Sequence, residues 1–364
     1  MGIFKDAFKE IGNTFKENFK EAGNSFKESF KEVGGSFTNI TGNANNNMKN
    51  TASGREDNSK TAKSQKGHKF GVAGKPEDFL YDLNKKGNGV VIKGLKRKAS
   101  TVNIPEMIED FPVVEIESLK LADGLEWDFD NDMITYQENM VCIPIDVITI
   151  PKTVVSLGQS VFDSMAITEI TLPMGVKSIP TYLFYYCCFL RSVRMPAVTS
   201  IDCSAFENCL SLTEIDLPDG LTAIGENAFR HCCNLRSVRI PAGVTIIYTG
   251  AFFNCGNLTE INLPEGIVSI GYHIFQDCKS LQKVTLPQSL NEICDGAFRN
   301  CENLVSVKMP SHPVKYLKYA KPDDEEYESD DEEDNSDLLT FSGCSKLGLA
   351  AKKVIRDSGY IGEF

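Results

Sequence analysis

The sequence has neither an excess of basic residues nor a long apolar run. Its 364 residues carry a formal net charge of -12, with 38 Lys and Arg against 50 Asp and Glu. Nucleic-acid binding requires a basic surface that neutralises phosphates, so this charge balance argues against a nucleic-acid partner. No stretch approaches the roughly 18 apolar residues of a membrane-spanning helix. The opening residues, MGIFKDAFKE, lack the apolar core of a signal peptide, and we therefore expect a cytoplasmic location.

The sequence also lacks the groups of residues that an active site needs. His68, His231, His273 and His312 stand apart from any recurring acid or nucleophile. No Cys-x-x-Cys pair or Cys/His cluster suggests a metal site, and the glycines do not form a phosphate-binding loop. The sequence therefore predicts a protein that is not an enzyme and that uses no cofactor or metal.

A short repeat fills the centre of the chain. A Leu/Ile-x-x-Ile/Val-x-Leu/Met-Pro phrase recurs every 22 or 23 residues and ends at Pro151, Pro173, Pro196, Pro218, Pro241, Pro264, Pro287 and Pro310. Behind it run a Phe column and a Cys column, namely Phe184, Phe206, Phe229, Phe252, Phe275 and Phe298, and Cys187, Cys209, Cys232, Cys255, Cys278 and Cys301. A unit this short cannot bury its own apolar face, so each copy must stack on the next in a solenoid.

In these motifs the chain resembles the BspA-like class of leucine-rich repeat proteins, whose units read L-x-x-I-x-L-P-x-x-L-x-x-I-G-x-x-A-F-x-x-C. The resemblance covers about residues 78–364. It implies an α/β-type repeat solenoid with parallel strands, in which the L-x-x-I-x-L segment forms the concave side. Relatives of this class include surface adhesins.

The cysteines are expected to be buried thiols. Six of the twelve occupy one repeat column, where each would stack over the next at about 4.8 Å. Parallel stacked side chains have poor geometry for disulfides. We therefore expect the column to act as small apolar side chains in a reduced protein.

Charged and polar side chains recur at the positions of each strand that point outward. These rows are the predicted partner-binding site, comprising Arg191, Arg194, Glu214, Asp216, Arg236, Arg239, Glu260, Asn262, Lys283, Thr285 and Lys308. Two interpretations are open. Arg194, Asp216 and Arg239 alternate in sign and can neutralise one another on neighbouring strands. Alternatively, the arginines bind a partner that presents carboxylates or phosphorylated side chains.

The first 37 residues contain a second repeat, three copies of an 11-residue unit that begin at Phe4, Phe15 and Phe26. Eleven residues make three helical turns, so the repeat predicts an amphipathic helix over residues 1–37. One face would carry Phe4, Phe8, Phe15, Phe19, Phe26, Phe30 and Phe37. Because Gly12 and Gly23 weaken this helix in water, a further surface must stabilise it. A membrane or lipid surface, another copy of the helix, a partner protein and the solenoid itself are the candidates.

The remaining segments are assigned from composition. Residues 38–77 are rich in Asn, Ser, Thr and Lys and are expected to be a disordered, flexible linker. In the solenoid of residues 78–364, residues 78–101 are the expected N-terminal cap, with a hairpin, and residues 345–364 the C-terminal cap, with a helix. The acidic run at 322–337 interrupts the last repeat, because the Phe-to-Cys interval resumes only at Phe341 and Cys344. Within the run, Ser329 precedes three acidic residues and is a candidate phosphorylation site.

The leading hypothesis is a non-catalytic scaffold that binds a protein through the concave surface of the solenoid. The N-terminal helix would tether it to a membrane or lipid surface, which would make it a cytoplasmic, peripheral membrane protein. The alternative is a structural protein that self-assembles into a homo-oligomer through the 11-residue repeats. A surface adhesin is a third and weaker hypothesis, because the thiol column and the opening residues argue against it.

Overall fold

The computed structural model describes residues 70–128, 132–137, 140–318 and 338–364. In this part the chain winds into a parallel-strand solenoid of about ten turns. The predicted repeat architecture is therefore confirmed. The N-terminal Phe stripe, residues 38–69 of the linker and the acidic run with Ser329 lie outside the described residues.

Each complete turn contributes one strand to each of two parallel series. The first series follows the L-x-x-I-x-L phrase and comprises β1 (Val72–Ala73), β4 (Thr101–Asn103), β9 (Val147–Thr149), β11 (Glu169–Thr171), β13 (Ser192–Arg194), β15 (Glu214–Ile215), β17 (Ser237–Val238), β19 (Glu260–Asn262), β21 (Lys283–Thr285) and β23 (Ser306–Lys308). The second series comprises β3 (Val90–Leu95), β6 (Phe111–Ile116), β10 (Ser156–Leu157), β12 (Ser178–Ile179), β14 (Ser200–Ile201), β16 (Ala223–Ile224), β18 (Ile246–Ile247), β20 (Ser269–Ile270), β22 (Glu292–Cys294) and β24 (Lys315–Leu317). The other elements are β2 (Phe79–Leu83), β5 (Met107–Ile108), β7 (Ile134–Gln137), β8 (Met140–Cys142), a short 3-10 helix (Pro76–Asp78) and the helix α1 (Leu349–Asp357).

The Phe and Cys columns form the centre of the core. Neighbouring rings from Phe162 to Phe341 stack with centroids 5.1 to 5.6 Å apart and planes within 27°. Each column thiol donates a hydrogen bond to the backbone carbonyl of the Phe one turn earlier, as Cys255 does to Phe229 at 3.2 Å. All twelve cysteines are free. The expectation of buried, unpaired column thiols is confirmed, and the hydrogen bond is an addition that the sequence pattern did not indicate.

A third side of each turn is built from turns rather than strands. The residue before each column cysteine adopts a left-handed backbone, with φ between 55° and 63° at Asn208, Asn254 and Asn300 and 80° at Gly343. Asn and Gly adopt this conformation at the lowest cost, which explains why they recur there. In the turns that contain Cys187 to Cys301, a second left-handed position lies four residues earlier, for example at Asn227 and Gly250. We call this side the turn face.

The N-terminal cap contains the predicted hairpin, because β2 pairs antiparallel with β3 around the loop at residues 84–89. The boundary with the linker lies earlier than predicted. β1 pairs in parallel with β4, and the side chain of Ala73 is fully buried, so residues 70–77 belong to the solenoid. Asp78 fixes this start, since its carboxylate accepts hydrogen bonds from Arg97 and from the N–H groups of Gly74 and Lys75.

The two irregular regions join the solenoid through ordinary packing. The β7–β8 hairpin covers a small apolar cluster formed by Cys142, Ala166, Cys188 and Leu210. After the acidic run the core resumes as predicted, because Phe341 stacks on Phe298 and Cys344 bonds to the carbonyl of Phe298. The predicted C-terminal helix is α1. Beyond it, Gly359 has a φ of 106° and Tyr360 is buried against the ring of Phe341.

Candidate partner-binding face

The outward side chains of the first strand series form one continuous surface, which we call the first-strand face. Its strands pair in register, so that Glu260, Lys283 and Ser306 lie side by side, as do Asn262, Thr285 and Lys308 on the same strands. The residue between each pair of outward positions is buried against the core. The alternation is the ordinary consequence of a strand with one buried side.

The structure brings all eleven predicted partner-binding residues together on this face. Thr285 is half-buried, and the other ten are exposed. The sequence located them because the strand phrase fixes which positions point outward. The exposed Asp146 lies immediately before β9, at the position that Arg191 holds before β13, and is not among the predicted residues.

The charges on the first-strand face do not neutralise one another as the first interpretation expected. Arg239 pairs instead with Asp219 in the turn after β15, with 2.6 Å between Nη2 and Oδ1. Both side chains are more than two-thirds exposed, so this pair adds at most about 1 kcal/mol. Among the described residues, Asp216 forms no ion pair within 4.0 Å with either Arg194 or Arg239.

Other arginines of the face are also unpaired. Arg191 and Arg236 make no ion pair with any described residue, and both project from the position before their strand. Glu260 has a weak local partner, since the amide nitrogen of Asn262 donates to its carboxylate at 3.1 Å. The first-strand face therefore presents several guanidinium groups that form no ion pair with a described residue. Guanidinium groups in this state favour carboxylate or phosphate partners.

The turn face carries a ladder of hydrogen-bonded polar side chains. The Asn254 amide lies 2.9 Å from Nδ1 of His231, and the Asn300 amide donates to Asp277 at 2.9 Å. Burial, with a further contribution from Arg230, lowers the pKa of His231 to about 4, so its ring is neutral at pH 7. His231 is thus a structural residue.

An open depression of about 380 Å³ lies on the turn face between Arg230, His273 and Arg299. The Arg230 guanidinium lies 4.9 Å from the centroid of the Phe253 ring, and its Nε is 3.7 Å from a carboxylate oxygen of Glu207. Burial raises the pKa of Glu207 despite this nearby cation. Arg230 is therefore already held by an aromatic ring and an acid.

The column thiols are unsuited to nucleophilic chemistry. Burial raises the pKa of Cys232, Cys255 and Cys301 well above the ordinary value for a thiol. A thiolate is the reactive form, and the interior does not stabilise it. In residues 70–128, 132–137, 140–318 and 338–364, no three His, Cys, Asp or Glu side chains cluster as metal ligands would. Within the same ranges, no helix has both the length and the apolar composition needed to cross a bilayer.

Comparison with known proteins places these features in a family. The model for a BspA type leucine rich repeat region matches in six copies, over residues 134–236 and 199–320. No curated protein sequence matches the chain.

Solved structures of bacterial leucine-rich repeat proteins are similar at low identity. A T. pallidum leucine rich repeat protein is 23% identical, with a TM-score of 0.44, and the match covers 79% of this chain and 96% of that one. A leucine rich cell surface protein from Faecalibacterium prausnitzii A2-165 is 19% identical, with a TM-score of 0.43 and coverage of 74% and 92%. The pneumococcal vaccine antigen PcpA is 19% identical, with a TM-score of 0.40 and coverage of 69% and 78%.

Proposed function

This chain belongs to the BspA-type leucine-rich repeat proteins, and from that premise we propose that its solenoid is a non-catalytic scaffold that binds a protein on the first-strand face. The observation that carries the proposal is the set of exposed, unpaired charges on in-register strands, Arg191, Arg194 and Arg236 among them. A rigid row of such groups suits a macromolecular partner better than a small ligand, because it is long and open.

The chemistry of the face defines the partner. From β11 to β21 acidic and basic strands alternate along the solenoid, so a matching surface must present charges of both signs in a fixed order. Each exposed contact contributes only about 0 to 1 kcal/mol, and affinity must come from several contacts made together. Such a surface uses its charges chiefly for partner choice and for the rate of association.

Charge reversal on the face tests this proposal. In the cells that produce this chain, we expect the wild-type chain to be crosslinked to a partner protein. The double variant Arg191→Glu/Arg194→Glu should lose that crosslink. The matched control is Lys177→Glu/Lys315→Glu, which reverses two exposed lysines of the second strand series, one immediately before β12 and one in β24. A crosslinked protein retained by the control and lost by the face variant supports the proposal. Equal capture by both variants, with both folded, would contradict it.

The proposed tether is the N-terminal Phe stripe, and its support is the sequence period. Seven phenylalanines on one side of a helix can enter the boundary between headgroups and acyl chains while the lysines and acids stay in water. The chain would then act as a cytoplasmic protein held at a membrane or lipid surface. Self-assembly through the same stripe is the alternative, and a surface adhesin is the weaker one.

Vesicle flotation of the full chain separates the tether from self-assembly. We expect Phe8→Glu/Phe19→Glu to abolish flotation with anionic vesicles. Asn13→Glu/Asn24→Glu adds the same charge off the stripe and should retain it. Association that grows with protein concentration and does not depend on vesicles would favour self-assembly instead.

A further inference from the structure

The charges of the first-strand face follow an order along the solenoid that is its own complement. From β9 to β23, eight consecutive turns each expose one sign of charge in the strand or immediately before it. These residues are Asp146, then Glu169, then Arg191 and Arg194, then Glu214 and Asp216, then Arg236 and Arg239, then Glu260, then Lys283, and finally Lys308. The order is acid, acid, base, acid, base, acid, base, base. Read backwards, it gives the opposite sign at every turn.

This symmetry identifies a second copy of the same chain as the complementary surface. A twofold axis that runs parallel to the strands, between β15 and β17, reverses the direction of the solenoid in the second copy. It places β15 opposite β17, β13 opposite β19, β11 opposite β21, and β9 opposite β23. Every acidic turn then faces a basic turn. Such a contact is isologous, the commonest symmetry of homodimers.

The pairing also holds at the level of single residues. Because the axis is parallel to the strands, each strand position faces the same position in the opposite turn. Asp216 and Arg239 are equivalent positions, because β15 and β17 pair in register at Glu214 and Ser237. Asp216 of each copy thus faces Arg239 of the other, on both sides of the axis. Glu169 and Lys283 are both first residues of their strands and face each other in the same way.

The next pair of turns matches with a small lateral offset. Glu260 of the second copy lies one strand position from the residue that faces Arg191 and two positions from the residue that faces Arg194. These offsets are roughly 3 to 7 Å, which long side chains can span. Arg191 and Arg194 have no ion pair with any described residue of their own chain. A second copy would supply one. The outermost turns, with Asp146 and Lys308, are offset by about three residues and contribute least.

We propose that two copies of this chain associate antiparallel through their first-strand faces, in register about an axis between β15 and β17. The proposal rests on the assignment of this face as a protein-binding surface and names its partner. Eight turns at about 4.8 Å by four residues at about 3.3 Å give roughly 500 Å² per copy, or about 1,000 Å² in total. That area lies below the usual size for stable complexes. The dimer is therefore weak and sensitive to salt.

Sedimentation equilibrium of the full chain tests the proposal. All variants carry Phe8→Glu/Phe19→Glu, which removes the apolar stripe as a second route to association. We expect a monomer–dimer equilibrium whose dissociation constant rises roughly tenfold between low and high salt. Asp216→Arg and Arg239→Asp each place like charges together twice at the axis, and each should raise the dissociation constant at least about tenfold. Lys177→Asp changes net charge as Arg239→Asp does, off the face, and should leave the constant unchanged.

The combined variant Asp216→Arg/Arg239→Asp gives the decisive result. It restores opposite charges at the axis and should dimerise nearly as well as the starting chain. Single variants that weaken the dimer without rescue by the combination would overturn the proposed register. A chain that stays monomeric at the highest concentrations would rule out the second copy, while the crosslinking comparison of the Arg191/Arg194 variant would still decide whether the face binds another protein. Association unaffected by either single variant would place the contact elsewhere.

Discussion

The interior of the solenoid and its first-strand face follow opposite rules. In the interior, the same residue recurs in turn after turn, with Phe rings 5.1 to 5.6 Å apart and each column thiol bonded to the turn before. On the face, one backbone position carries Arg194, Asp216 and Arg239 on successive strands. Stacking requires the same residue type at a given interior position in every turn. The exposed position has no such constraint, so its charge can vary to match a partner.

The largest effect should come from breaking the Phe column. Phe229 is fully buried between Phe206 and Phe252, with centroids 5.1 and 5.3 Å away. We expect Phe229→Ala to lower the free energy of unfolding by about 3 to 5 kcal/mol, as large buried aromatics do. Urea denaturation followed by circular dichroism measures it. Phe253→Ala, which follows the column residue Phe252 in sequence but is half-buried on the turn face, should cost clearly less; equal losses would contradict the distinction between interior and surface.

The N-terminal cap should show the next effect. Burial alone would raise the pKa of Asp78, but hydrogen bonds from Arg97 and from the N–H groups of Gly74 and Lys75 lower it to about 2. A pKa below the unfolded value stabilises the fold above about pH 4, and the stability is lost as pH falls towards 2. Asp78→Asn should cost about 2 kcal/mol at pH 7 and remove this acid-dependent loss, measured by denaturation at pH 7 and pH 3.

Asp82 provides the control for the cap. It is exposed on β2, and Asp82→Asn should leave both the stability and its dependence on pH unchanged. If the two substitutions behave alike, the hydrogen bonds at Asp78 do not hold the cap.

A smaller interior effect is expected from a column thiol. Cys255 is fully buried and donates to the carbonyl of Phe229. Cys255→Ala removes the buried sulfur and one of the two hydrogen bonds to that carbonyl, which keeps the N–H of Cys232, for a loss of about 1 to 2 kcal/mol. Cys233→Ala, outside the column and half-buried, should lose less in the same denaturation experiment. No difference between the two would mean that the column bond contributes nothing to stability.

The smallest effect is predicted for the first-strand face. Arg194 is exposed and has no ion pair with a described residue, so Arg194→Glu should change the free energy of unfolding by less than about 0.5 kcal/mol. Thermal unfolding monitored at low protein concentration checks this. A large loss of stability would show that the charges of the face hold the solenoid together rather than serve a partner.

The sequence was most informative where stacking imposes one residue type. The Phe-to-Cys interval predicted that Phe341 and Cys344 rejoin the columns after the acidic run, and they do. The sequence was less informative where a short segment is compatible with several local structures. The start of the solenoid at β1 was missed because its two strand residues, Val72 and Ala73, are recognisable only through their pairing with β4.

The sequence predicted which strand positions form the first-strand face, but it did not predict their ion pairs. Arg239 bonds to Asp219 because the turn after β15 brings that carboxylate within reach of the next strand. Such a contact depends on turn geometry and side-chain conformation, which residue spacing does not specify. Asn recurs before the column cysteine, as at Asn208 and Asn254, and this pattern could have predicted the left-handed residues of the turn face.

Mixing two variants that each repel their own copies tests whether the order of charges on the first-strand face selects its partner. Asp216→Arg and Arg239→Asp chains, each carrying Phe8→Glu/Phe19→Glu, would be combined and examined by native mass spectrometry. Asp216→Arg contributes arginines at both positions and Arg239→Asp contributes aspartates at both, so the mixed dimer has opposite charges at every contact by the axis. We expect the mixed dimer to be far more abundant than either homodimer. Mixed and unmixed dimers in statistical proportion would contradict it.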